Sequence, residues 1–261
     1  MDSLDIGGLR IAYRREGHGP PIVFLHGFFG DHRVWRPQRE LADEYTLVAW
    51  DAPGCGGSSV PPPTFSMDDY ADTLAAFIEA LGLDHPNLVG NSFGATLALT
   101  LAIRHPSVPR SLVPADGYAG WSGSFPPEVV AQRLSQSLPD LELPLERVVA
   151  KWVPGFVTDA APASVTGELA SIIADFDPDG MRVMIRALAE ADLREGLSTL
   201  AAPTLLVWGE QDVRSPLTVA DDLHSRIAGS QLVVIPGVGH LSHFEAPDRF
   251  NAEVRSFLSV H

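Results

Sequence analysis

Short, mostly apolar runs alternate with longer amphipathic stretches along most of the chain. Ile22–Leu25, Thr46–Trp50, Asn87–Val89, Ser111–Ala115, Pro203–Trp208 and Gln231–Ile235 read as strands, several of them ending at Gly or Asp. Between them, Asp68–Leu81 repeats apolar residues at helical spacing and stops at Gly82, a residue suited to a helix end. Phe93–Arg104 is apolar nearly all round, the pattern of a helix buried against a sheet. Leu217–Ile227 and Pro247–Leu258 are amphipathic. At the start of the chain, apolar and polar residues alternate around Gly7-Gly8, which predicts a hairpin of Leu4–Ile6 with Arg10–Tyr13. Strands apolar on both faces and interleaved with helices predict an α/β fold. Its mostly parallel, eight-stranded sheet would carry helices on both faces and an antiparallel edge from the hairpin.

The alternation fails once. From 117 to 199 there are helical patterns at Glu128–Ser137, Leu145–Val153, Val165–Asp175 and Met181–Ala191, with no convincing strand. The expected organisation is a core of residues 1–116 and 200–261 with a helical lid, or cap, of 117–199 inserted after the sixth strand. Acidic pairs Asp68-Asp69 and Asp221-Asp222 are expected in the first turns of their helices, where the macrodipole favours them.

Composition narrows the function. With 261 residues, 45% of them hydrophobic and 20% charged, the chain can bury a sizeable core and is not disordered. Eighteen Lys and Arg against 33 Asp and Glu give a net charge of −15, which repels phosphate backbones and anionic lipid. Nucleic-acid and membrane-surface partners are therefore not expected, and the same surface weighs against a strongly anionic substrate. The longest apolar stretch, Ala95–Ile103, stops at Arg104, short of the ~20 residues a membrane span needs. The opening Met-Asp-Ser-Leu-Asp-Ile has no signal-peptide pattern, and a soluble protein is expected. Lys151 is the only lysine, so Schiff-base chemistry would rest on it alone. Cys55 is the only cysteine, which excludes an intrachain disulfide and fits a cytoplasmic location. No His, Asp or Glu spacing calls for a metal, and no cofactor is expected.

The segment that carries chemistry is Gly90-Asn91-Ser92-Phe93-Gly94, a G-x-S-x-G sequence between an apolar strand and a buried helix. In that context it reads as a nucleophile elbow, with Ser92 held out of a tight, strained turn. Small residues two before and two after the serine let strand and helix approach closely. His26-Gly27, the turn Asp51-Ala52-Pro53-Gly54-Cys55-Gly56-Gly57-Ser58, Gly209-Glu210-Gln211-Asp212 and Gly237-Val238-Gly239-His240 follow the strands in order. With these motifs the chain resembles the α/β-hydrolase fold family, in its serine esterase or lactonase branch, over nearly its whole length.

The resemblance implies a triad of Ser92, Asp212 and His240, in the family's order of serine, acid, histidine. Asp116, at the end of the strand after the elbow, is the alternative acid because some relatives place theirs there. His243 is the alternative base; His26 belongs to a turn motif, and His18, His32, His85, His105, His224 and His261 read as surface residues. The family pattern also implies an oxyanion hole from the backbone N–H groups of Phe28 and Phe93. Phe29, Trp121, Trp152 and Leu241, with the two oxyanion-hole phenylalanine side chains, are candidates for an apolar pocket. Cys55, without a neighbouring histidine, reads as an inert thiol.

The resulting expectation is a cofactor-free serine hydrolase that cleaves a small to medium carboxylic ester or lactone through an acyl-enzyme. Asn91 before the serine and the helical insertion also resemble carbon–carbon bond hydrolases of vinylogous diketones, but Leu241 stands where those enzymes carry tryptophan. A ligand sensor that keeps the hydrolase fold is the non-enzymatic alternative.

Overall fold

The computed structural model describes residues 1–261. Eight strands form one sheet: β1 (Asp2–Ile6), β2 (Leu9–Gly17), β3 (Pro21–Leu25), β4 (Thr46–Trp50), β5 (Asn87–Asn91), β6 (Ser111–Ala115), β7 (Leu205–Gly209) and β8 (Gln231–Ile235). Their spatial order is β1-β2-β4-β3-β5-β6-β7-β8. β1 and β2 form the expected hairpin, with Leu4 opposite Ile11, and β2 runs antiparallel to β4. All other pairings are parallel. β3, β5, β6 and β7 are the buried centre, which is why they read as continuous apolar runs.

Helices cover both faces. α1 (Met67–Ala80) packs beside α2 (Phe93–Arg104), which lies over β3, β5 and β6. Every residue of α2 from Phe93 to Ala102 is buried, which explains its lack of a polar stripe. The start of α1 carries a capping box, with Ser66 and Asp69 bonding each other's backbone N–H. Asp68 and Asp69 fall in its first turn as expected. Asp221 and Asp222 do not: α9 (Leu217–Arg226) begins earlier than its charge pattern implies, and Asp222 pairs with Arg226 one turn on. α10 (Ser242–Glu245) and α11 (Pro247–Leu258) pack beside a 3₁₀ segment, His32–Asp43, which the sequence reading missed. Pro37 inside that segment hides its helical character.

Between β6 and β7 lie α3 (Trp121–Ser124), α4 (Pro127–Asp140), α5 (Leu145–Phe156), α6 (Ala163–Ile173), α7 (Pro178–Glu190) and α8 (Arg194–Leu197). The four longer helices are the predicted ones, shifted by a few residues at their ends. One cluster of 73 buried apolar residues runs through both the sheet and this insertion, so the insertion has no separate core. No helix is long and apolar enough to cross a membrane.

His243 sits in this core, not at a reactive surface. Its ring lies 4.2 Å from that of Trp35, its carbonyl accepts from Gln38 Nε2 at 2.7 Å, and neither ring nitrogen has a hydrogen-bond partner. Burial, with a smaller contribution from the His240 charge, pushes its pKa down to about 3. The unfolded chain binds a proton there below its ordinary value near 6.5, while the folded chain does not, so stability falls as pH drops through that window. The expected penalty at pH 5 is about 2 kcal/mol relative to pH 8. His243→Phe should lose less stability than the wild type between those two pH values, measured by urea unfolding. Equal acid sensitivity in the two proteins would remove His243 as the cause.

Candidate active site

The elbow forms where β5 ends and α2 begins. Ser92 is held at φ 55° and ψ −113°, a conformation that costs about 1–3 kcal/mol in isolation. Its N–H is anchored on the Ala115 carbonyl at 2.9 Å. A Cβ at residue 94 would sit 1.9 Å from the Leu25 oxygen, and one at residue 90 would sit 2.2 Å from the Gly94 oxygen. Glycine at 90 and 94 is thus required by contact as well as by motif.

Three distant segments meet at this turn. His240 Nε2 is 2.9 Å from Ser92 Oγ, and His240 Nδ1 is 2.7 Å from Asp212 Oδ2. The other Asp212 oxygen accepts from the N–H groups of Arg214 (2.8 Å) and Ser215 (2.9 Å), which fixes the carboxylate's orientation. All three side chains are buried. With Nδ1–H donated to Asp212, Nε2 is left to accept the serine proton.

Asp116 stands elsewhere in the network. Its carboxyl accepts from Ser242 N–H (3.0 Å), Ser242 Oγ–H (2.6 Å), Gly209 N–H (2.8 Å) and Asn91 Nδ2 (3.4 Å). Asn91 Nδ2 also donates to the His240 carbonyl at 3.0 Å. One carboxyl therefore ties the residue before Ser92, the end of β7 leading to Asp212, and the segment after His240. Burial, reinforced by the Asp212 charge, pushes the Asp116 carboxyl well above the ordinary carboxylate range. Sequence position could suggest Asp116 as an acid but not this linkage, because its partners lie on three other segments.

The remaining histidines separate by contact. His26 is buried, its Nε2 accepting from Ala52 N–H and its Nδ1 bonded to the Gly27 carbonyl, each at 2.9 Å. His32, expected at the surface, is partly buried because its Nδ1 and its backbone N–H both bond Asp51 Oδ1 at 2.8 Å. Asp31, His32 and Asp51 cluster closely enough to hold a metal. Asp31, however, is engaged by Arg33, and Asp51 also accepts from Gly57 N–H, so the group holds the turn around Asp51 together. Burial pushes the Cys55 thiol well up, as suits an unreactive side chain.

The predicted oxyanion donors flank the serine. A Cβ at Gly27 would lie 2.9 Å from Ser92 Cβ, so the 27–28 loop runs directly against the nucleophile. The Phe28 N–H has no protein acceptor, and Phe93, first in α2, has no intrahelical one. The aromatic candidates pack on one another: Phe29 lies on Trp152 (4.6 Å) and Trp121 stands edge-on to Phe28 (5.8 Å). Leu241 is buried, its N–H bonded to the Phe156 carbonyl at 3.1 Å. Ser92 itself is only 4% exposed. The indole N–H groups of Trp121 and Trp152 are buried without partners. Sequence reading missed Phe156, whose ring stacks on His240 at 5.9 Å, and Tyr118, at 6.2 Å from the same imidazole. Pro154 argued for ending α5 at Val153, whereas the helix continues through it to Phe156. Glu245 joins the two sides, accepting from Thr158 N–H and hydroxyl and from Gly239 N–H.

These contacts give the two aspartates different signatures. Asp212→Asn should lower kcat about 10⁴-fold with little change in melting temperature. Asp116→Asn should instead cost about 3 kcal/mol of stability, because an amide N–H₂ must face existing donors. Circular-dichroism melts and ester hydrolysis rates on both variants check this, and the reverse pattern would transfer the acid role to Asp116.

Comparison with known proteins agrees with this architecture. A profile of the alpha/beta hydrolase family matches residues 22–253. The chain is 31% identical over 264 residues to RutD of Caulobacter sp., provisionally named a carbamate hydrolase, covering 94% of each chain. It is 27% identical over 250 residues to the pimeloyl-[acyl-carrier protein] methyl ester esterase of Vibrio parahaemolyticus, covering 92% of this chain and 95% of that one. A thermophilic esterase from Thermogutta terrifontis, solved with malate bound, superimposes with a TM-score of 0.89 at 28% identity, covering 98% of this chain and 96% of that one. The elbow, the sheet order and these matches converge: the chain belongs to the alpha/beta hydrolase family and is a hydrolase.

Proposed function

We propose that the protein is a serine hydrolase that cleaves a small to medium carboxylic ester or lactone through an acyl-enzyme. The observation that carries this reading is the unbroken hydrogen-bond chain from Asp212 through His240 to Ser92 Oγ. Ser92 Oγ attacks the carbonyl carbon while His240 Nε2 takes its proton. The Phe28 and Phe93 N–H groups receive the developing oxyanion, where one such donor is worth about 3–4 kcal/mol. His240 then protonates the departing alcohol, and a water activated by the same imidazole releases the acid. Asp212 holds the imidazole tautomer and stabilises its charged form. Every step is assigned to groups of this chain.

In the same reading, residues 117–199 act as a lid over a core of 1–116 and 200–261. The support is contact at both sides: Glu245 ties Thr158 to the His240 loop, and the turn at Gly54 meets Gly180 so closely that a Cβ at 54 would lie 2.6 Å from the Gly180 Cα. Relatives named for methyl ester and carbamate hydrolysis act on carbonyls with heteroatom leaving groups, which suits an acyl-transfer site. The carbon–carbon reading remains the alternative; Asn91, the residue that suggests it, donates here to the His240 carbonyl and Asp116. A binding-only role has no use for the proton relay.

A fluorophosphonate probe should label Ser92, located by peptide mass spectrometry. Ser92→Ala should keep the fold and lose at least about 10⁴-fold in hydrolysis of p-nitrophenyl butyrate. Full activity in that variant would overturn the mechanism.

A further inference from the structure

We infer that Arg133 and Arg214 form a carboxylate-binding subsite beside the triad, so that the substrate is an ester or lactone carrying a free carboxylate. This deepens the serine-hydrolase reading and rests on it. The first observation is one of pairing. The partly buried arginines are Arg33, Arg133, Arg182, Arg214 and Arg255. Arg33, Arg182 and Arg255 each hold a carboxylate, whereas Arg133 and Arg214 hold none. An arginine withdrawn from water without an anion is costly, and its planar donor fork suits a carboxylate.

The second observation is placement. The Arg214 guanidinium lies 4.2 Å from the Trp152 ring centre and 4.3 Å from that of Phe156, the ring stacked on His240. Its Nε donates to the Gly155 carbonyl at 2.9 Å, leaving both Nη groups without a protein acceptor. Arg133 lies over Phe125 at 4.1 Å and near Tyr118, which also faces His240, and it donates one bond to the Arg214 carbonyl at 2.6 Å. Each cation is thus one aromatic ring away from the imidazole.

Neighbouring acids do not serve them. Asp212 is taken up by His240 and two backbone N–H groups, and Asp140 is paired with Lys151 at 2.6 Å. Burial, joined by the Arg133 charge and opposed by Tyr118, Asp212 and Asp140, pulls the Arg214 pKa down to about 10. Cation–π contact explains where the two side chains lie but leaves their N–H donors open. A substrate carboxylate would accept from them while its carbonyl faces Ser92. The net charge of −15 therefore does not exclude an anionic substrate, because two cations act at short range inside the site.

The test uses the full chain. Glutarate and glutaramide are compared by isothermal titration, and mono-p-nitrophenyl glutarate is compared with p-nitrophenyl butyrate by kcat/KM. Glutarate should bind and glutaramide should not, with the anionic ester preferred by at least about tenfold. Arg214→Met, which keeps the stem over the two rings, and Arg133→Gln should each weaken glutarate binding and cut the anionic-to-neutral ratio about tenfold. Using the ratio cancels any general loss of rate, and Arg133→Gln alone decides if the Arg214 variant does not fold. Glutarate binding no better than glutaramide, or a ratio unchanged in the variants, overturns the subsite. Arginine-dependent glutarate binding without turnover of either ester upholds the subsite and overturns the serine-hydrolase reading.

Discussion

The structure turns on one buried carboxyl. Asp116 receives donors from Asn91, Gly209 and Ser242, residues that flank the serine, aspartate and histidine segments. A low-dielectric interior makes such a cluster strong when every donor is met and expensive when one is not. The cost of burying this carboxyl is partly offset by four hydrogen bonds, from two backbone N–H groups, the Ser242 hydroxyl and the Asn91 amide. Further bonds join the segments in pairs, such as Asn91 to the His240 carbonyl and Gln211 N–H to the Val238 carbonyl, but Asp116 is the group that touches all three. Catalytic geometry tolerates errors of about half an ångström, which loops alone do not hold.

Backbone strain is concentrated at the same place. Of the four non-glycine residues with positive φ, Phe29, Ser92 and Asp116 border the site. At about 1–3 kcal/mol each, such conformations persist only where surrounding contacts leave no alternative. Those contacts come from α2, buried through Ala102, and from the glycines at 90 and 94, which allow strand, turn and helix to touch. The apolar character of α2 and the strain at Ser92 are two sides of one arrangement, since a helix free to shift would let the serine relax.

Much of this was legible in the sequence because it rests on local pattern. The strand runs, the elbow, and the order of Ser92, Asp212 and His240 are written in periodicity and short motifs. The 3₁₀ segment at His32–Asp43 was not legible, since Pro37 obscures its period. Nor were the contacts of Asp116, Phe156, Arg133 and Arg214, whose partners lie on other segments. Asp116 is the alternative acid by sequence position, and only the structure shows its four donors. Leu241, a pocket candidate, is buried like Phe29, Trp121 and Trp152, and its N–H holds the end of α5, a contact no local pattern announces. His32 was misread because a polar residue beside a loop looks exposed until a buried aspartate claims it.

Ser92 is only 4% exposed, and the hydrogen bonds that join the insertion to its surroundings are unevenly distributed. The hydrogen bonds limit which part can move. Residues 156–158 are tied to the His240 loop through the Phe156 carbonyl and Glu245, so displacing the end of α5 would disturb the imidazole itself. The α3–α4 side has no such tie to the histidine; it reaches the triad's neighbourhood through Arg133 and the Arg214 carbonyl. A carboxylate held by Arg133 and Arg214 would add a second link on that side, because it bridges one arginine on α4 and one on the Asp212 loop. The anion would supply the attraction that the two guanidinium groups cannot supply to each other.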